Sequence, residues 1–263
     1  MSDFYIKGLT KFPIQQGVII NGCIAENYTQ DTYGLIITPR CDIGNGGKVS
    51  TIHYLPIVSL KEWIQVDCLQ NGIRKFRKNL SEKLEKNGIS SSILEFLVSI
   101  DDFKIIIEGR PNKQNLVEEY DAFCKIVNDK NYNCKQLIQY CKSEYSELCS
   151  SNHNRFYLMK KWDNTDEYSV ILLRDIKRIS FDLINKFSDG CQNKNFDESV
   201  YLSNDIYKSD ITYHYKTLAQ LSSPYIEYVI QRFSHNFCRI GIDHNVDNES
   251  LKIKYELEKI IIQ

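Results

Sequence analysis

The segment Pro39-Arg40-Cys41-Asp42, followed by Gly44-Asn45-Gly46-Gly47-Lys48, is the one stretch of this chain where reactive side chains meet a glycine-rich turn. A thiol flanked by arginine and close to lysine is biased towards thiolate, and a histidine within hydrogen-bond reach completes a nucleophile and base. His53, on the next apolar run, is the nearest candidate. The glycine turn offers backbone N–H groups to a phosphate, with Lys48 as counter-charge. Val49 follows Lys48, however, so the Walker spacing is missing. Plainer roles are open to the same residues: Cys41 as a small buried apolar group, Asp42 capping a turn and pairing with Lys48, the glycines as a hairpin tip. If this region carries function, Arg40, Cys41, Asp42, Lys48 and His53 are expected at one rim.

A second set lies in 222–241. Tyr228, Arg232, His235 and Arg239 fall at i, i+4, i+7 and i+11, away from an apolar face of Ile226, Val229, Ile230, Phe233, Phe237 and Ile240. Guanidinium groups suit phosphate, and a tyrosine can stack on a base. The same face can instead anchor the helix, with Arg239 complementing the negative end of its dipole. Metal ligands are not indicated. The nine cysteines contain no C-x-x-C pair, His153, His214 and His244 stand apart, and Asp101-Asp102 and Glu118-Glu119 are adjacent pairs that do not face each other. No cofactor is expected, and no catalytic set is complete, so enzymatic activity is left open.

The elements that must position these residues fall into three blocks. Runs at 17–22, 33–38 and 51–58 are β-branched or aromatic, bounded by Gly, Asn and Asp, and nearly continuous in apolar residues. This is the pattern of strands covered on both faces, as in a small closed barrel. From about 60 to 150 the spacing turns helical: Phe76, Leu80 and Leu84; Ile93, Phe96, Leu97 and Ile100; Leu116, Tyr120, Phe123 and Val127; Cys134, Leu137, Ile138, Cys141, Tyr145 and Leu148. Strands return as a hairpin over 155–174 around the polar turn 163–167, and 210–216 alternates like a further strand. Ser223 and Pro224 suit a helix start and Gly241 its end, and a last charged helix is predicted over 249–262.

Composition sets the outer limits. Among 263 residues, 33 Lys and Arg face 34 Asp and Glu, a net charge of −1, with 42% hydrophobic and 25% charged residues. That is a globular chain with no general attraction for nucleic acid. No apolar run reaches the roughly 18–20 residues of a membrane span, and Met1–Lys7 lacks the features of a signal peptide, so a cytoplasmic protein is expected.

Two stretches carry a resemblance. Leu35-Ile36-Ile37-Thr38-Pro39-Arg40-Cys41-Asp42-Ile43, with Lys48 and then Tyr54-Leu55-Pro56-Ile57-Val58, resembles a signature of poorly characterised bacterial proteins of defence islands and mobile elements. Leu221-Ser222-Ser223-Pro224-Tyr225 through Gln231-Arg232-Phe233 to Phe237-Cys238-Arg239-Ile240-Gly241 resembles the C-terminal helix of those proteins. The strand order is more distantly similar to the PemK/MazF-like toxin barrel, although Pro39-Arg40 follows the second strand rather than preceding it. The resemblance implies an accessory or interaction subunit of a bacterial anti-phage defence complex, binding a protein encoded nearby and potentially nucleic acid. The alternative it implies is a PemK-like ribonuclease or other nucleic-acid-processing enzyme. The fold expected is α+β: an SH3/PemK-like, mostly antiparallel barrel from 1–60 and 151–241 with its packed helix, a helical insertion at 61–150, and a C-terminal helix at 242–263.

Overall fold

The computed structural model describes residues 5–6, 13–28, 32–44, 49–151, 153–159, 168–181, 184 and 217–237. Lys48, His214, Arg239, Ile240, Gly241, the turn 163–167, the strand expected at 210–216 and the helix expected at 249–262 lie outside them, as does the side chain of Phe237.

The chain is mixed α+β, built on an antiparallel half-barrel sheet. Its strands are β1 (Tyr5–Ile6), β2 (Val18–Cys23), β3 (Thr32–Ile36), β4 (Thr51–Ser59), β5 (Phe156–Met159), β6 (Ser169–Leu172), β7 (Lys177–Ser180) and β8 (Thr217–Leu221), in the order β1-β8-β2-β3-β4-β6-β5. The nine-residue β4 serves two partners along one edge, pairing Ile57 with Ile171 of β6 and His53 with Arg178 of β7. The end strands β1 and β5 have no second strand partner among the described residues. The apolar runs are continuous because both faces are covered. Ile19, Leu35, Ile57, Ile171 and Ala219 face one core, while Val18, Ile20, Ile36, Ile52 and Ile179 face another. Gly34 is required by close approach: a Cβ there would lie 2.5 Å from Cys23 Sγ and 2.8 Å from the Tyr54 ring.

Between β4 and β5 the chain runs through helices α2 (Leu60–Trp63), α3 (Leu69–Lys86), α4 (Ile93–Phe96), α5 (Ile100–Ile106), α6 (Lys113–Asp129) and α7 (Lys135–Cys149). A π-helical turn, Ile64–Cys68, joins α2 to α3. These helices build their own core from Phe76, Leu80, Leu84, Phe103, Leu116, Tyr120, Phe123 and Leu137. Helices α3 and α7 meet at Gly72, where a Cβ would stand 2.8 Å from Cys141 Sγ and 3.0 Å from Leu137 Cδ1.

Several expected core positions are corrected. Phe96 is 79% exposed, because Leu97 enters the left-handed region (φ 46°) and separates α4 from α5. Val127 is exposed and Ile126 takes its place in the core, while Ile138 and Tyr145 also point outward. Residues 40–44 are not loop but a short helix, α1 (Arg40–Gly44), whose first turn is closed by N–H donation from Asp42 and Ile43 to the Pro39 carbonyl.

The last described helix, α8 (Tyr225–Phe237), lies across one face of the sheet with Ile226 and Val229 buried. It begins one residue later than its sequence suggests. The Ser222 carbonyl accepts from Tyr225 and Ile226, and the Pro224 carbonyl accepts from Tyr228. Among the described residues no helix is long and apolar enough to cross a membrane.

Candidate functional site

The rim around Cys41 assembles in part. Arg40 and Cys41 are exposed on α1, and the Cys41 thiol donates to Asp42 Oδ1 at 3.5 Å. Cys41 is therefore not the small buried group of the plainer reading. The His53 backbone is tied to the same region: its N–H donates to Thr38 Oγ1 at 2.7 Å and its carbonyl accepts from Ile37. Its side chain is exposed. On α8, Tyr228 and His235 are exposed, but Arg232 is not part of an open face. Its Nη2 donates to the His153 carbonyl at 2.8 Å, so it anchors the helix to the segment entering β5.

A larger constellation forms where the insertion meets the sheet. The π-turn and α3 carry Asp67, Asn71 and Lys75, spaced four apart so that they share one face. Glu144 comes from α7, and His153 and Arg155 from the lead into β5. Arg155 donates through Nη2 to Asp67 Oδ1 (3.2 Å) and through Nη1 to Asn71 Oδ1 (3.4 Å). Tyr28 donates to the other Asp67 oxygen at 2.5 Å. Asn71 Nδ2 donates to Glu144 Oε2 at 3.2 Å, and Lys75 lies 2.5 Å from Glu144 Oε1.

The hydrogen bonds fix the tautomer of His153. Its Nδ1 accepts from the Arg155 N–H at 3.2 Å, so the proton resides on Nε2, which faces Glu144 Oε2 at 3.1 Å. Burial pushes the Glu144 carboxyl up, but hydrogen bonds from Lys75 and His153 outweigh it, and the net position is below the ordinary carboxylate range. The hydrogen bond to Glu144 raises Lys75 in turn. Trp63, fully buried, meets Phe156 and His153 edge-on and closes the apolar side of the cluster.

The fold also brings together donor atoms of Glu144, Glu147 and His153 within 4.8 Å of one another, a set that can hold a metal and that sequence spacing did not reveal. The Lys75 ammonium stands 2.5 Å and 3.7 Å from the two carboxylates, so a cation is already supplied by the chain. With the side chains of Glu144 and His153 only 5% and 7% exposed, the arrangement works as a clamp between insertion and sheet. The acidic pairs noted in the sequence have partners: Asp101 with Lys104, Asp102 with Ser99 and Glu118 with Gln114 locally, and Glu119 with Lys83 of α3.

Residues of the π-turn, α3 and α7 line a groove of about 340 Å³. Ile64, Leu69, Tyr132, Leu137, Ile138 and Tyr145 line it, and Cys68 and Cys141 form part of its lining. Burial pushes the Cys68 thiol up to about 12 and raises Cys141 as well, so both act as apolar lining rather than nucleophiles. Set against known proteins, the chain matches no family model, no curated protein and no solved structure.

Proposed function

We propose that this chain is an interaction subunit, with the sheet as frame and the helical insertion as the arm that holds a partner protein. The observation that carries this reading is the groove beside α7. Ile64, Ile138 and Tyr145 are each 42% exposed and Tyr132 38%, while Leu137 and Leu148 of the same helix are at 1% and 0%. Large apolar side chains gathered around a concavity, rather than scattered singly, mark a contact surface. The clamp supports the same reading, since its charges are paired with one another.

A bacterial anti-phage defence complex as the setting, with the partner encoded nearby, rests on the resemblance of the two sequence stretches. An SH3- or PemK-like closure of the half-barrel belongs to the same reading, and the register shifts in β2 that curve the sheet favour it. The ribonuclease alternative draws on strand order alone, and toxicity on overexpression that disappears in Arg40→Ala or Lys48→Ala would favour it.

The test is co-expression with the product of each adjacent gene. One product should co-purify with the chain, and Ile138→Asp with Tyr145→Asp should abolish the complex without moving the melting temperature. A chain that stays alone with every neighbouring product overturns the reading.

A further inference from the structure

The exposed stripe of α7 is not simply apolar. Lys135, Ile138, Lys142 and Tyr145 follow one another at i, i+3, i+7 and i+10, so they stand on one line along the helix with basic and apolar groups alternating. A second concavity, lined by Asn133, Lys135, Ile138, Gln139 and Lys142, shares Ile138 and Lys142 with the apolar groove and extends it into basic surface. Neither lysine makes an ion pair among the described residues, and no acidic side chain lines either concavity.

The start of α7 adds an independent sign of the same kind. Its Ncap residue, Cys134, makes no side-chain capping bond, and no acid stands in its first turn. Lys135 therefore meets the positive end of the helix dipole with nothing to offset it, a locally unfavourable arrangement that an incoming carboxylate relieves.

We infer that the groove takes an acidic amphipathic helix of a partner protein, its apolar residues seated between Ile64 and Ile138 and its carboxylates, a heptad apart, on Lys135 and Lys142. This rests on the interaction-subunit reading and adds the chemistry of the partner to it. The seven-residue separation of the two lysines sets the spacing, because the groups of a facing helix recur at nearly that interval. Apolar anchors in a groove supply affinity in this mode of recognition, and the rim charges select the partner and speed its arrival.

The probe is a labelled synthetic helix of about 20 residues with leucines on one face and glutamates flanking them at heptad spacing. Its twin carries lysine in place of every glutamate. With the full chain, the acidic peptide should bind about tenfold or more tighter than its twin, and added salt should weaken it. Lys135→Glu with Lys142→Glu should reverse the preference. Ile138→Asp should abolish binding of both, and since all three residues are exposed, none of the changes should lower the melting temperature; Lys135→Glu, at the positive end of the α7 dipole, should if anything raise it.

Equal binding of both peptides, or of neither, overturns the inference. So does a dimer of the chain alone that Ile138→Asp dissociates, which makes a second copy the occupant. Binding that emerges only after Ile261→Asp with Ile262→Asp also overturns it, by assigning the groove to the chain's own C-terminal segment. If peptide binding fails while capture of a neighbouring gene product still depends on Ile138, the inferred chemistry falls and the interaction reading stands.

Discussion

Helix α8 and the helical insertion both attach to the same sheet, by opposite means. Helix α8 lies on it through Ile226 and Val229, 3% and 0% exposed, with Arg232 to the His153 carbonyl as a polar tie. The insertion is fastened through apolar contacts of Trp63 and Leu148 together with a chain of ionic and amide groups from Tyr28 through Asp67, Arg155, Asn71 and Glu144 to Lys75 and His153. Apolar contact is tolerant of position and indifferent to pH. A chain of charged hydrogen bonds is geometrically exacting, and it fails if one member is removed.

Breaking the clamp at its centre should have the largest effect. Glu144→Ala leaves Asn71, His153 and Lys75 without their shared acceptor and should destabilise the protein by about 3–5 kcal/mol. Ile226→Ala on α8 should lose about 2–4 kcal/mol through lost burial and a cavity. Chemical denaturation of both variants checks the comparison, and a loss below roughly 1 kcal/mol for Glu144→Ala would mean that the junction is held by its apolar contacts alone.

Acid distinguishes the two attachments more sharply. The Glu144 carboxyl is held below its ordinary value of 4.5 in the folded chain, so its contribution is complete above that pH and is lost as the pH falls through the folded value. Stability should therefore decline more steeply below pH 4.5 in the natural chain than in Glu144→Gln, whereas Ile226→Ala should keep the natural slope. Parallel curves for the natural chain and Glu144→Gln would remove the carboxylate from the account.

The difference between the attachments is also what made one legible in the sequence and the other not. The face of α8 repeats at 3.6 residues within thirteen positions, and Phe76, Leu80 and Leu84 or Leu116, Tyr120 and Phe123 announce their helices in the same way. The pairing of the two arms was equally open to reading, since β5 and β6 run antiparallel with Met159 opposite Ser169. The long links of the clamp join residues as far as 88 positions apart, and no local spacing relates Asn71 to Glu144 or Asp67 to Arg155. His153 lies nine residues from Glu144 but beyond the end of α7, so helical spacing does not relate the two. The outward turn of Ile138 and Tyr145 was hidden by a different cause: at 3–4 spacing beside Leu137 and Leu148 they extend an apolar stripe, and periodicity alone does not tell which edge of a broad stripe is covered.

The polar tie on α8 should matter less than either main contact. Arg232→Met keeps the aliphatic stem but removes the bond to the His153 carbonyl, and about 1–2 kcal/mol should be lost. Phosphate or oligonucleotide binding that vanishes in this variant with no change in melting temperature would instead place Arg232 on a binding face.

The smallest effect is expected where the sequence first suggested chemistry. Arg40 and Cys41 are exposed, and the region is held by the Pro39 carbonyl, which accepts from Asp42 and Ile43, and by the Thr38 hydroxyl, which accepts from the His53 N–H. None of these bonds is removed by Arg40→Ala or His53→Ala, since neither side chain supplies them. Each variant should therefore stay within about 0.5 kcal/mol of the natural chain, as surface changes away from caps and cores do. Thr38→Val is the contrasting probe, because it deletes the acceptor of the 2.7 Å bond at a buried position while nearly preserving shape, and about 1–3 kcal/mol should be lost. If Arg40→Ala and His53→Ala leave both stability and partner capture intact while Thr38→Val unfolds more readily, the rim is a structural corner held by the Thr38 hydroxyl rather than a functional surface. A loss of capture in Arg40→Ala at unchanged stability would extend the contact surface from the insertion to the sheet.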